Sequence, residues 1–378
     1  MFIELHLVQN FAPSNLNRDD TGSPKECQFG GHRRARISSQ CFKRAVRMRF
    51  PDLLPGAELA KRTKRVVLDL LVPGLEERGH PSEASRMVAE KALASVNLRL
   101  DEKSQTEYLL FMAQSEIDAL IAACHQHFDA LAKDSGKSGQ QSKKEARAGV
   151  PDEVQARVEA IMDGGKAADL ALFGRMLADL PRKNIDAAAQ VAHAISTHRV
   201  SPEFDYYTAV DDLNPKEDPG AAMIDTVEYN SACFYRYSNV DLGQLSTNLK
   251  GDSALVRSTV EAYLRASIEA VPSGKQNSTA AQNPPGFVMM VVRDSGLWSL
   301  ANAFLNPVRP GDGADLVQKS IDQIDAQWNG LARMYGVKSI RQVAFVSLDA
   351  RELPALGKPL TTVDELIART LEAAKFAA

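Results

Sequence analysis

The four cysteines, Cys27, Cys41, Cys124 and Cys233, stand far apart and form no Cys-x-x-Cys pair. That spacing excludes a disulfide framework or a cysteine zinc site as the organising chemistry. No stretch approaches the roughly 20 apolar residues that a membrane helix requires. Met1 to Leu5 lacks the basic start and apolar run of a secretory signal. The expectation is a cytoplasmic chain with no membrane partner. No Gly-x-Gly-x-x-Gly, Walker loop or Ser/His/Asp arrangement is present, so no cofactor and no hydrolytic triad are expected. Internal repeats are absent as well. Nor is there an excess of positive charge, since the formal net charge is -3. A wholly basic nucleic-acid binder is therefore excluded, and any such surface must be local.

One local surface is visible. Gly30 to Phe50 holds seven Arg or Lys and no acid. Arg33 to Ile37 alternates basic with small or apolar residues, which predicts a short half-exposed strand. Ser38 or Ser39 can then cap a helix by accepting an orphan backbone N–H. From there Gln40, Lys43, Arg44 and Arg47 follow i, i+3, i+4, i+7 spacing and share a face. Phe42, Ala45, Val46 and the stem of Arg49 form the next face round. A basic stripe thus rises from a helix N-terminus that itself favours anions. A solvated surface helix is the plain alternative, but such faces usually intersperse acids at i, i+4. Charges extended along a helix suit a phosphate backbone better than one small anion, so the stripe is read as a nucleic-acid contact.

At 378 residues the chain is long for one core, so one domain with insertions or two domains is expected. Phe2 to Val8 alternates as a strand, and Asn10 to Phe29 reads as a polar loop. From Pro51 to about Gly165 the composition turns helical, with helices expected at 57–71, 82–96, 104–132 and 152–162. Residues 133–144 read as a flexible loop rich in Gly, Ser, Gln and Lys. Strand signals resume at 168–176, 189–198 and 229–240. The intervening 199–228 carries three prolines, several acids and the adjacent Tyr206 and Tyr207. An excursion that long inside a domain is usually functional or disordered. A helix follows at 253–270, then a polar loop at 272–285 holding Lys275 and Gln276. The runs 287–292 and 343–348 suit central strands, and Thr362-Val-Asp-Glu365 opens the last helix as a capping box. Strands and helices in this order point to an α+β fold.

The segments Ser14-Asn15-Leu16-Asn17-Arg18-Asp19-Asp20, Phe29-Gly30-Gly31 and Arg36-Ile37-Ser38-Ser39-Gln40 resemble the CasC family. The resemblance returns in order at Gly174-Arg175-Met176, at Ala192 to His198, at Thr208 to Leu213, at Phe234 to Tyr237, at Lys275-Gln276 and at Ser299 to Phe304. Members of that family form the spine of the type I-E CRISPR Cascade complex. The resemblance implies an RRM-like (ferredoxin-like) palm over 1–50 and 166–378, a helical insertion over 51–165 and a long β-hairpin thumb at 197–229. It implies several copies head to tail along a CRISPR RNA, with other Cascade subunits and target DNA paired to the guide as further partners. It also implies no catalysis. Carried over residue by residue, the RNA contacts are Arg18, Lys25, Ser38, Gln40, Lys43, Arg44, Arg47, Met176, Lys275 and Gln276, with Met176 wedged beside the RNA. Arg34 and Arg36 join them as members of the acid-free run, and Tyr206 as a flat side chain able to stack on bases.

Other constellations carry less. Asp19 and Asp20 beside Arg18 could hold a divalent metal for RNA cleavage, which is the second reading of the chain. Adjacent acids in a loop more often cap turns, and no third ligand is evident. His32 lacks a matching proton-transfer partner. Cys124-His125-Gln126-His127 lies within a helix, where its side chains point to different faces, so no metal is expected there.

Overall fold

The computed structural model describes residues 1–133, 150–208, 224–311 and 315–376. Its strands are, in chain order, β1 (Phe2–Ser14), β2 (Glu26–Phe29), β3 (His32–Ile37), β4 (Ala60–Thr63), β5 (Leu110–Ala113) and β6 (Ala189–Val191). They continue with β7 (Ala194–Ser196), β8 (Glu203–Thr208), β9 (Ile224–Asp241), β10 (Phe287–Arg293) and β11 (Ile340–Ser347). The chain divides into two units. The first holds Met1–Leu53, Ala189–Leu242 and Arg257–Ala378, and the second Leu54–Ala188 and Gly243–Val256.

In the first unit an antiparallel sheet runs β11-β10-β1-β9-β7-β3-β2, with β6 and β8 also paired to β9. Its centre is set by apolar content. β1 and β10 are buried on both faces, as Ile3, Leu5 and Leu7 alternate with Glu4, His6 and Val8. Val8, Cys233, Tyr235, Phe287, Met289 and Phe345 pack with Ile321, Ile324 and Trp328 of the helix Leu316–Tyr335. On the opposite face lies the helix Val363–Ala374, whose Thr370 hydroxyl contacts Met290 Sδ. Several polar residues inside share partners. Glu4 accepts from Arg293 at 2.9 Å, from the Tyr237 hydroxyl at 2.8 Å and from Trp298 N at 2.6 Å. Burial pushes the neighbouring His6 imidazole down to about 3, so it stays neutral against the Tyr235 hydroxyl.

The second unit is mainly helical. Ser82–Ser95, Gln114–Gln126 and Asp152–Ile161 bury Val88, Leu93, Leu120, Val154 and Val158 in one core beside the β4–β5 pair. No helix among the described residues is long and apolar enough to cross a membrane.

Several sequence expectations are corrected. β1 continues to Ser14 and β2 occupies 26–29, so the 10–29 loop is shorter than expected. Residues 57–71 include β4, and 104–132 begins with β5 before its helix. The 168–176 stretch is the helix Ala168–Phe173 rather than a strand. These are short apolar runs, whose type periodicity alone does not decide. The Asp169 carboxylate accepts from Ala60 N at 2.8 Å, tying this helix to β4, so 166–188 falls in the second unit with the helical segment rather than with the sheet of the first. β11 is an edge strand, not a central one. Much of the 199–228 excursion is ordered ladder, with Glu203↔Tyr229 through Thr208↔Ile224 paired antiparallel. Its centre, 209–223, lies outside the described residues, as does all of the 133–144 loop except Lys133.

Candidate nucleic-acid interface

The helix Ser39–Leu53, α1, forms as the sequence pattern predicts. Ser38 caps it, its hydroxyl oxygen accepting from Cys41 N at 3.3 Å. Phe42, Val46 and Phe50 enter the core, which turns Gln40 and Arg44 to solvent and leaves Lys43 and Arg47 half-buried. Burial holds the Lys43 ammonium below its usual range. Arg49 is drawn aside by Glu269 at 3.0 Å and Asp52 at 3.3 Å.

The loop after β1 is bolted to the start of α1 by Asn17. Its side-chain oxygen accepts from Ser38 N at 2.8 Å, and its carbonyl accepts from Lys25 N at 2.9 Å. Asn15, fully buried, donates to Gly22 O at 2.9 Å and to Glu228 O at 3.0 Å. Asp19 closes the loop's turn, accepting from Thr21 N, the Thr21 hydroxyl and Ser23 N at 2.8–3.0 Å. The Thr21 hydroxyl is the main reason its carboxyl titrates below the ordinary range. One Asp19 oxygen is thus occupied in the turn, and among the described residues no metal-capable group of three includes it. Arg18 is left exposed at the rim, with Lys25 half-exposed beside it.

These segments meet in a cleft of about 680 Å³ lined by Arg18, Arg44, Met48, Glu269, Gly274 and their neighbours. The loop after Glu269 closes it by running against the first loop. A Cβ on Gly274 would lie 2.3 Å from Leu16 O, so only glycine allows that approach. Lys275 follows in the left-handed region at φ 53°. Among the described residues Arg18, Lys25 and Arg44 have no carboxylate partner. Arg33, by contrast, pairs with Glu26.

Three of the expected contacts are engaged within the fold. Arg34 is 0% exposed, and its guanidinium donates to Ser196 O at 3.1 Å and Phe304 O at 2.6 Å, so it is an internal brace. Its neighbours differ, Arg33 being exposed and Arg36 half-exposed. Ser38 is buried as the cap. Gln276 donates its amide to Pro272 O and Ala281 O, both at 3.1 Å, and so shapes the loop that carries Lys275. Arg36, Gln40, Lys43, Arg44, Arg47, Arg18, Lys25 and Lys275 all belong to the first unit and keep accessible surface.

Met176 belongs to the second unit and is 77% exposed, unlike the core position its apolar character would suggest. The preceding Arg175 explains this. Its buried guanidinium takes Glu116 at 2.8 Å together with the carbonyls of Phe111 and Met162. With Arg175 turned inward, Met176 is held out. On the β8–β9 arm Tyr206 is 63% exposed, and so is Phe204, at 71%, on the same side of the strand. Phe204 was missed in the sequence, although its i, i+2 spacing from Tyr206 carried the signal. Asn17 was quoted there only within a motif, and the bracket it forms becomes visible only in three dimensions.

The chain matches the sequence profile of the CT1975-like proteins over residues 3–369. Among solved structures it resembles a chain of a "CRISPR RNA-guided surveillance complex, pre-nicking" at 31% identity and TM-score 0.86, covering 99% of this chain and 100% of that one. It also resembles a chain of a "CRISPR RNA-guided surveillance complex" at 26% identity and TM-score 0.77, with the same coverage. No curated protein matches it.

Proposed function

Because this chain belongs to the CT1975-like protein family, we propose that it is the multi-copy spine subunit of a type I-E CRISPR surveillance complex, as the CasC resemblance implies. In this reading it binds the CRISPR RNA backbone without regard to sequence, works beside other Cascade subunits and presents the spacer for pairing with target DNA. The observation that carries this is the set of cations Arg18 and Arg44, which line the cleft, and Lys25, held to Asn17 at the start of α1, none with a carboxylate partner among the described residues. Cations on a loop and a helix read phosphates rather than base edges, and that leaves bases open for pairing. The similarity to chains of RNA-guided complexes supports the same reading.

In this account the first unit is the RRM-like palm, and the β8–β9 arm is the thumb. Phe204 and Tyr206 on the arm suit stacking against bases or a neighbouring copy. Met176 is the apolar wedge. No catalysis is proposed, since Asp19 is engaged in its turn. The test is to incubate the purified chain with single-stranded RNAs of increasing length and magnesium, then weigh the assemblies by mass photometry. Assemblies that lengthen with the RNA, while the RNA stays full length, are expected. A single fixed stoichiometry at every length, or specific cuts lost on Asp19→Ala, would sink the proposal.

A further inference from the structure

His193 lies in the two-residue link between β6 and β7 and is exposed. Its Nδ1 stands 3.0 Å from Arg36 Nη1. A guanidinium has no acceptor and keeps its protons, so Arg36 donates and Nδ1 accepts. The neutral ring must then carry its proton on Nε2, leaving that N–H as a second donor. Arg36 is itself fixed. Its Nε donates to Glu26 O at 3.2 Å, its backbone N donates to Lys25 O at 2.8 Å, and the β3–β7 register sets it opposite Ile195. Burial, Arg36 and Lys25, in that order, hold the imidazole below its ordinary 6.5. The other titratable groups at this corner do not offset the cations. The Glu26 carboxylate is turned to Arg33, and burial keeps the Cys27 thiol protonated. Two cations and an imidazole thus share one corner, and among the described residues no carboxylate free of a cation partner is placed there.

We infer that His193 is a phosphate contact of the RNA-binding face, completing a three-donor corner with Arg36 and Lys25, and that RNA binding there takes up a proton. The inference rests on the RNA-binding reading above and names a residue and a linkage which that reading does not contain. A phosphodiester oxygen placed between Arg36 and Lys25 offsets the two positive charges that keep the ring neutral. Arg36 can then turn its N–H from Nδ1 to the phosphate, and the ring gains a proton there, so both ring nitrogens donate. The proton comes from solvent and no covalent bond changes. Proton affinity is therefore higher in the bound state than in the free one. RNA affinity rises as pH falls through the region around the ordinary imidazole value, and levels off below the free ring's lowered value.

The experiment measures binding of a labelled single-stranded RNA to the full chain from about pH 8 to about pH 5.5, for wild type and His193→Asn, with the His193 ring signal followed by NMR. For one linked proton the wild-type affinity should rise by up to about tenfold per pH unit across the transition. The affinity of His193→Asn should be flat with pH, and RNA should shift the wild-type ring signal toward the protonated form. Equal pH dependence in wild type and variant overturns the inference while leaving RNA binding intact. No RNA binding at any pH overturns the RNA reading and the inference with it. If inorganic phosphate alone shifts the ring as far as RNA does, the corner is a site for a free anion, and the RNA contact is wrong.

Discussion

Replacing Arg18, Lys25 and Arg44 together by alanine is expected to weaken single-stranded RNA binding roughly ten- to a hundredfold, by the same factor for every sequence. Each lost phosphate contact removes released counterions, about 0.7 per charge for single strands. The slope of log affinity against log salt should therefore flatten by about 2 for three contacts. The fold should survive, because all three side chains keep accessible surface and none enters the core. Arg34→Ala is the control that separates charge from position. It lies in the same acid-free run, yet its guanidinium is buried on backbone carbonyls. It should cost stability and leave the salt slope of the remaining folded protein unchanged. If Arg34→Ala flattened the slope as the triple variant does, the placement of the interface would be wrong.

The second large effect concerns Arg175. Its guanidinium and the Glu116 carboxylate are each 1% exposed and meet at 2.8 Å. Glu116 also accepts from Ala113 N at 2.8 Å and Gly164 N at 2.7 Å, so the pair joins the end of β5 to the turn after Asp152–Ile161. Arg175→Ala strands a buried carboxylate, and breaking such a pair from one side costs about 3–5 kcal/mol. The helical second unit should lose most of that in a chemical denaturation experiment, with the sheet of the first unit reporting a smaller change. Changing both partners to apolar residues of similar volume, Glu116→Leu with Arg175→Met, should recover much of the stability. A single variant as stable as wild type would show that the pair contributes little. Because Arg175 also holds Met176 outward, RNA affinity of the folded double variant tests whether that exposure matters.

The sequence carried the centre of the fold and the face of α1 because both rest on simple periodicity. β1 alternates, and Phe42, Val46 and Phe50 recur at helical spacing. It failed where apolar runs were short, as at 168–173, since a six-residue stretch of Ala, Leu and Phe with one Asp fits a buried strand or a helix equally. It failed again at Arg34, where charge suggested the surface. The strand register placed that residue inside, where Ser196 O and Phe304 O satisfy it, and neither carbonyl is near in sequence. The site was legible as a set of cations but not as a cleft. The cleft depends on Asn17 bridging Lys25 and Ser38, and on Gly274 letting a loop from far downstream approach Leu16. His193 stayed hidden for the same reason, since its meaning comes from Arg36 on a neighbouring strand. Phe204 was legible from its i, i+2 spacing to Tyr206 and was overlooked.

The central claim is that this chain grips a nucleic-acid backbone and ignores its bases. The most direct measurement is the affinity of the purified full chain for several single-stranded RNAs of one length and unrelated sequence, over a series of salt concentrations. The account predicts affinities within a few-fold of one another at each salt and a common steep linear decline of log affinity with log salt. Strong preference for one sequence, or affinity that does not change with salt, would contradict it.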